Sequence, residues 1–142
     1  MEQEVGSIQV TAKLQDKNTE KITGLKSITE KYGFLRERPK EHFYAVFLKS
    51  DNEVIGDKLI GLGNTGSAPV DLKDIARTAV LTNASAVILV HNHPSNNDTA
   101  TPDDKQTTRN IQQGLELFDI QVLDHVIISQ NGYYSMKQAG DI

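Results

Sequence analysis

The sequence predicts an α/β (α+β) fold in which helices flank a mixed central β-sheet. Residues 85–91 (SAVILVH) form an apolar run, which is typical of a central strand buried on both faces. Residues 72–83 carry the apolar stripe of a helix packed on a core, made of Leu72, Ile75, Ala76, Ala79 and Val80. The predicted order is strand, strands, helix, strand, helix, strands, which favours a sheet with helices packed against it.

The first half of the chain is predicted to form three strands and a short helix. Period-two alternation of apolar residues over 5–14 predicts a strand. Ser27 is the predicted cap of a short helix, with Glu30 at the capping-box position. Aromatic and β-branched residues predict a strand over 42–49, and the turn signal SDNE separates it from its predicted hairpin partner at 53–62.

Two longer helices and the remaining strands are predicted in the second half. Asp71 is the expected N-cap of the helix over 72–83. Thr101 and Pro102 suit the start of a helix over 102–118. The buried side of that helix is expected to contain Ile111, Leu115 and Phe118. The segments DIQVLDHVIIS and GYYSM then predict two or three further strands.

The composition bounds the class of protein. A chain of 142 residues fits one domain, which we place at residues 25–142, after an N-terminal strand and polar turn at 1–24. The formal charge of −4 weighs against binding to the phosphate backbone of a nucleic acid. The basic residues between 31 and 40 are interpreted as a solvated helix end and loop. No signal peptide and no membrane-spanning run is visible, so we expect a cytoplasmic protein without membrane contact.

Residues 91–104 (HNHPSNNDTATPDD) hold the most informative pattern in the chain. A strand places residues i and i+2 on the same side, so the rings of His91 and His93 can converge on one ion where the apolar strand ends. Pro94 ends the strand pairing, and Asp104 follows in the first turn of the predicted helix, where it can serve as a third ligand. Because the chain has no cysteine, a metal site must use such residues. Three protein ligands leave one position of a tetrahedral zinc open for water, which is typical of a catalytic site.

Each of these residues also has a structural interpretation. His-x-His pairs are common by chance, and Asp103 and Asp104 are ordinary first-turn residues that suit the helix dipole. Thr101 has the alternative of being only a helix cap. The combination favours a metal site, because a titratable cluster directly follows the most apolar predicted strand of the protein.

This segment resembles the JAMM (MPN+, JAB) metallopeptidase motif, His-x-His-Pro-x6-Ser-x2-Asp, through His91, His93, Pro94 and Asp104. The stretches LTNASAVILVHNHPS, LDHVIIS and GYYS look most like the RadC-type bacterial branch of that family. The resemblance covers approximately residues 25–140. It implies a cytidine-deaminase-like fold of the MPN type and a zinc-dependent hydrolase of peptide or isopeptide bonds.

The resemblance also implies two catalytic residues. The family uses a glutamate at the start of an early strand as general base, and Glu41 fits that position, fifty residues before His91. Without the resemblance Glu41 would be interpreted as a solvated charge, while its rival Glu53 sits in a predicted turn. Thr101 stands where the motif has the serine whose hydroxyl helps to hold the oxyanion. Threonine keeps the hydroxyl but adds a methyl group and a stiffer χ1, so we expect activity to be retained or reduced.

Two further departures and one further histidine bear on the prediction. Ser95-Asn96 replaces the Ser-Gly usual in the RadC branch, and Asn tolerates left-handed backbone conformations better than most residues. Longer RadC proteins carry an N-terminal helix-hairpin-helix region for which this sequence has no room, which weakens any DNA-binding role inherited from them. His125, in the apolar segment LDHVIIS, is expected to be a core histidine or one that supports the metal site.

Three functions compete. The hydrolase requires Zn²⁺ held by His91, His93 and Asp104, with Glu41 and Thr101 as catalytic residues and a protein or peptide as substrate. The first alternative is a non-catalytic MPN-type binding or scaffolding module, against which the full set of ligands argues. The second is a RadC-type accessory role in DNA repair.

The substrate and the oligomeric state stay open. The contiguous letters HNH at 91–93 do not indicate a nuclease, because HNH nucleases spread those residues over a ββα unit, and nucleic acid is an unfavoured partner. The loop GNTGSAP and the connector SNNDTA are expected to frame the cleft, but their specificity cannot be read from the sequence.

Overall fold

The structure, a computed structural model, describes residues 6–14, 20–63, 70–95 and 97–142. These residues form a mixed α/β fold that confirms the predicted class. The strands are β1 (Glu41–Leu48), β2 (Val54–Gly63), β3 (Ala86–Asn92), β4 (Gln121–Ile128) and β5 (Tyr133–Ser135). The helices are α1 (Leu25–Lys31), α2 (Leu72–Leu81) and α3 (Pro102–Glu116), with a short 3-10 helix at Gly33–Glu37.

The five strands form one mixed sheet in the order β2-β1-β3-β4-β5. β3 and β4 are parallel and are connected through α3, whereas the other neighbouring strands are antiparallel. β3 lies at the centre, and all seven of its residues are buried. A central strand covered on both faces requires apolar residues on both sides, so the apolar run at 85–91 was a correct guide.

Helices cover both faces of the sheet and bury two hydrophobic clusters. α1 and the 3-10 helix pack on one face around Ile28, Leu35 and Val90. α2 and α3 pack on the other face around Ile75, Ile111 and Leu115. Because side chains alternate along a strand, every second residue of β3 faces α2 and α3, and those between face α1.

Two helix starts are confirmed with the predicted caps. The Asp71 side chain accepts hydrogen bonds from the backbone N–H groups of Lys73 and Asp74 at the start of α2. Thr101 caps α3 in a capping box with Asp104, and Pro102 occupies the first turn. In each case an oxygen at the N-cap satisfies backbone donors that have no partner within the helix.

Two predictions for the N-terminal region are wrong. Residues 6–14 form no strand, and Ile8 is 90% exposed. Alternation stabilises a strand only where a neighbouring strand and a core take up its two edges and its apolar face. Ser27 lies inside α1 rather than at its cap; the helix begins after Gly24, which makes no side-chain cap. Ser27 Oγ instead accepts a hydrogen bond from the backbone N–H of Thr23.

Two apolar residues predicted to be buried are exposed. α3 ends at Glu116, before the predicted residue 118, and Phe118 lies in the following turn with 55% of its surface exposed. The chain turns at Asp119, which has a positive φ of 59°, so the helical period no longer applies to Phe118. Val80, in the last turn of α2, is 50% exposed. No helix among the described residues has both the length and the apolar character needed to cross a membrane.

Candidate metal centre

The pairing of β1 with β3 brings Glu41 to the two histidines. The strands are antiparallel with Phe43 opposite His91, so the start of β1 lies beside the end of β3. Leu89 of β3 packs in the cluster with α2 and α3. His91 and His93 follow it at steps of two residues, so they point to the same face. Glu41 points to the same face, since it is two residues before Phe43. Glu41 and the two histidines, about fifty residues further along the chain, therefore share one buried edge of the sheet.

The two imidazoles and the glutamate converge on one small volume. The Nε2 atoms of His91 and His93 are 3.0 Å apart. Glu41 Oε1 lies 3.9 Å from His91 Nε2 and 4.0 Å from His93 Nε2. One potential ligand atom from each residue lies within 4.8 Å of the others, and all three residues are buried. The described residues thus contain a group of the right composition and size to bind a metal ion.

Asp104 completes the cluster from the first turn of α3. Its Oδ1 is 3.2 Å from His91 Nε2, and its Oδ2 is 3.0 Å from His93 Nε2. The backbone N–H of Thr101 donates to Oδ2 at 2.8 Å, which holds the carboxylate in place. Asp104 is therefore closer than Glu41 to both ring nitrogens, and two carboxylates are available to the site.

The hydrogen bonds around His93 show what the cluster needs. His93 Nδ1 is 3.1 Å from the backbone carbonyl oxygen of Asn97, which can only accept, so Nδ1 carries a proton. In the neutral ring, Nε2 then presents its lone pair to the Asp104 carboxylate, which is also an acceptor. Among the described residues, the buried Oε2 of Glu41 has no hydrogen-bond partner. A proton or a metal ion between these acceptors satisfies the contact, and a nitrogen–oxygen donor set of this kind fits Zn²⁺.

Electrostatic effects shift the pKa values of the two carboxylates, Glu41 and Asp104, in opposite directions. Burial raises the pKa of Glu41, an effect that the neighbouring histidines partly offset. Burial acts on Asp104 in the same direction, but the close contacts with the His91 and His93 imidazoles outweigh it and hold the pKa of Asp104 well below the usual range. Asp104 is therefore the more strongly ionised of the two carboxylates, whereas Glu41 is the one that takes up a proton more readily.

His125 supports the site from β4, in agreement with the structural role expected for it. The residue is wholly buried, and its Nε2 lies 2.6 Å from His91 Nδ1. Its Nδ1 lies 2.6 Å from Thr108 Oγ1 on α3. Burial lowers the pKa of His125 well below its ordinary value, so the ring is neutral. Sequence reasoning did not identify Thr108; the available signal was a polar residue on the buried side of α3.

Asn92 is a second residue that sequence reasoning missed. It lies between the two site histidines but points to the opposite face, because neighbouring residues of a strand alternate. Its Oδ1 accepts a hydrogen bond from the His42 backbone N–H at 2.7 Å, and its Nδ2 donates to the Leu35 and Lys40 carbonyls at 3.2 and 3.0 Å. Asn92 thereby anchors the segment that leads into β1 and Glu41. An amide inside an apolar strand was the available signal.

The cluster lines an open cleft of about 510 Å³. Thr101 lines this cleft, and its Oγ1 accepts a hydrogen bond from the Asp104 backbone N–H at 3.1 Å, which leaves its hydroxyl proton free to donate. Ser95 and Asn97 of the predicted connector also line it, whereas Asn96 and residues 64–69 of the predicted framing loop lie outside the described residues.

Glu53, the rival for the role of base, lies at the other end of β1. It follows the turn between β1 and β2, where its carboxylate is 3.7 Å from Lys49 Nζ. The site therefore contains Glu41 and not Glu53. The predicted residues Glu41, His91, His93, Thr101 and Asp104 all lie around one cleft.

Comparisons with known proteins agree on a family. The family described as RadC-like JAB domain matches residues 22–141 of this chain. A UPF0758 protein of Desulfitobacterium hafniense is 39% identical over 106 residues, covering 75% of this chain and 47% of that protein. UPF0758 proteins of Methanosarcina mazei and Fusobacterium nucleatum are 31% and 36% identical, covering 84% and 90% of this chain and 53% and 56% of their own lengths. The chain thus spans about half the length of these curated relatives.

Proposed function

The chain belongs to the RadC-like JAB domain family, and from this membership and the site geometry we propose that it is a zinc-dependent hydrolase of peptide or isopeptide bonds. The observation that carries the proposal is the convergence of two imidazole Nε2 atoms and two carboxylates in an open cleft that all four residues line. We propose a protein or peptide as substrate and the cytoplasm as its location.

In this proposal His91, His93 and Asp104 hold the ion, because their ligand atoms are the closest together. When bound, Zn²⁺ supplies Lewis acidity, which polarises a carbonyl group and lowers the pKa of water towards 7. The site shape supports this assignment because the cleft leaves the cluster accessible from one side.

Glu41 serves as the proton carrier. Its Oε1 lies about 0.7 Å farther from His91 Nε2 and about 1.0 Å farther from His93 Nε2 than the Asp104 oxygens do, and its Oε2 has no partner among the described residues. A carboxylate with a free lone pair and a raised pKa can accept a proton from the attacking water and then give it to the leaving amine. The Thr101 hydroxyl, which faces the cleft, donates to the carbonyl oxygen of the scissile bond as charge develops there.

The test uses the purified chain, metal analysis with zinc reconstitution, and a cleavage screen over peptides and isopeptide-linked substrates. We expect Glu41→Gln to keep its bound zinc and to lose turnover by at least about 10²-fold, because the amide cannot carry the proton. Glu53→Gln is the matched control and should keep both properties. A chain that binds no zinc on reconstitution, or a Glu41→Gln variant with normal turnover, would refute the proposal.

A further inference from the structure

We propose that Thr108 and His125 are positioning residues that hold His91 in the tautomer whose Nε2 lone pair faces the candidate metal centre. The inference rests on the proposed zinc site. It concerns two residues that do not bind the ion or the substrate in that proposal, and that act only through His91 and Asp104.

A continuous series of contacts runs from the site back to α3. His91 Nδ1 lies 2.6 Å from His125 Nε2, and His125 Nδ1 lies 2.6 Å from Thr108 Oγ1. Thr108 Oγ1 in turn lies 2.7 Å from the backbone carbonyl oxygen of Asp104. Thr108 and His125 are wholly buried, and the Phe43 ring packs against both imidazoles, so these groups interact with one another rather than with solvent.

The last acceptor in the series sets the direction of every proton. The Asp104 carbonyl can only accept, so Thr108 donates its single hydroxyl proton to that oxygen. The Thr108 oxygen then accepts from His125 Nδ1–H, and in the singly protonated His125 ring Nε2 is the acceptor. His91 consequently donates from Nδ1, and its Nε2 lone pair faces the site.

If the hydrogen bonds between Thr108, His125 and His91 ran in the opposite direction, one contact of the series would have no proton. Thr108 would donate to His125 Nδ1, and His91 would carry its proton on Nε2, facing Asp104 Oδ1 at 3.2 Å. The Thr108 hydroxyl oxygen and the Asp104 carbonyl oxygen would then remain 2.7 Å apart as two buried acceptors. Two oxygen atoms that share no proton repel at that distance, so only the first direction satisfies every contact.

The same contacts connect two proposed ligands. The imidazole of His91 is held through His125, and the first turn of α3, which carries Asp104, is held through Thr108. A histidine binds a metal through one nitrogen when its other N–H has a fixed partner, and loss of such a partner weakens metal affinity by about 10–100-fold. A hydroxyl at a buried position of α3, where an apolar residue would pack equally well, is explained by this role.

The matched variants are Thr108→Val, which keeps the branched shape without the hydroxyl, and Thr108→Ser, which keeps the hydroxyl. Competition of the full chain with a chromophoric zinc chelator should show affinity about 10–100-fold weaker for Thr108→Val. Thr108→Ser should bind close to the parent value. Equal affinities of the Thr108→Val variant and the parent would overturn the inference.

A second measurement does not depend on whether a variant folds. Nitrogen NMR of the ¹⁵N-histidine-labelled, metal-free parent chain should show His91 protonated at Nδ1 and His125 protonated at Nδ1. A His91 proton on Nε2 would overturn the inference directly. If the parent binds no zinc, the proposed function fails, while the tautomer of His91 still decides this inference separately.

Discussion

Asp104 combines two roles that the sequence presents as alternatives. Its backbone and carboxylate form the capping box with Thr101, which is the structural role of a first-turn acid. The same carboxylate lies 3.2 and 3.0 Å from the two site histidines. A carboxylate has two oxygens and about four lone-pair directions, so it can stabilise the helix start and face the cluster together. The helix start therefore positions the group that the site requires.

The titration of His93 predicts how zinc binding depends on pH. Burial favours the neutral ring, but the hydrogen bond to Asp104 raises the pKa of His93 above the ordinary 6.5. A proton competes with the metal for Nε2. On acidification, zinc affinity should therefore begin to decrease while the pH is still above 6.5. Competition titrations over about pH 5 to 8 measure this. A zinc affinity that does not change over that range would contradict the prediction.

The same shift gives the opposite pH dependence to the metal-free protein. A histidine whose pKa is raised on folding contributes stability that is fully present below its unfolded pKa, and loses it as the pH rises through the folded pKa. The free energy of unfolding of the metal-free chain should therefore decrease above pH 6.5 by the His93 contribution. Urea titrations of the parent and of His93→Gln, which lacks this contribution, provide the comparison.

At the scale of elements, the end of β3 serves both faces of the sheet. Alternation sends His91 and His93 towards α3, and it sends Asn92 towards the 3-10 helix and the segment before β1. The end of β3 and the residue after it therefore hold the two candidate histidine ligands, and the same strand end anchors the backbone that carries Glu41. β3 ends at Asn92, and Pro94, which has no backbone N–H to donate, follows two residues later.

This geometry predicts two effects of Asn92→Ala. Loss of the amide leaves the His42 backbone N–H without the side-chain oxygen that accepts from it, which should cost about 1–3 kcal/mol of stability. Turnover should fall while zinc affinity stays near the parent value, because Glu41 moves and the nearest ligands do not. Urea unfolding, cleavage rates and zinc competition separate these effects.

Asn110→Ala, on the exposed side of α3, is the matched control for that variant, and it should leave stability and turnover near the parent values. If the Asn92 variant matches this control in turnover, the anchor has no effect on Glu41. If it loses zinc affinity as strongly as turnover, the amide acts through the histidines instead.

At the scale of the whole molecule, the site links elements from across the chain. Glu41 comes from β1, His91 from β3 and His93 from the residue after it, Asp104 and Thr108 from α3, and His125 from β4. No two neighbouring elements contain the full set, so the cluster exists only when the sheet and α3 are assembled. An ion that binds the cluster therefore stabilises the folded state over the unfolded chain.

Zinc removal should consequently lower the melting temperature. At a free zinc concentration of about 100 Kd the expected stabilisation is about 2.7 kcal/mol, which amounts to several degrees for a chain of this size. His93→Ala should lose the zinc-dependent shift, while His42→Ala should keep it, because His42 contacts the Lys40 carbonyl away from the cluster. Differential scanning calorimetry with and without a chelator measures the shift. A shift that persists in His93→Ala would place the ion elsewhere.

Local sequence patterns determined most of the elements of this protein. The hydrophobic periods located β1, β2, α2, β3 and α3 close to their observed bounds, and the caps Asp71 and Thr101 were readable because capping depends on neighbouring residues. The His-x-His spacing and the resemblance to a known motif identified the cluster. These patterns involve residues that are close in sequence, so they can be recognised without knowledge of the fold.

Tertiary structure decided what depends on distant partners. Residues 6–14 have the alternation of a strand but no place in the sheet, and Phe118 follows the helical period past the end of its helix. The contacts of Glu41 with the histidines, of Asn92 with the segment before β1, and of Thr108 with His125 join residues that the chain separates by 17 to 57 positions. Only strand register and helix packing bring such groups together, and no local period encodes which distant residue will meet another.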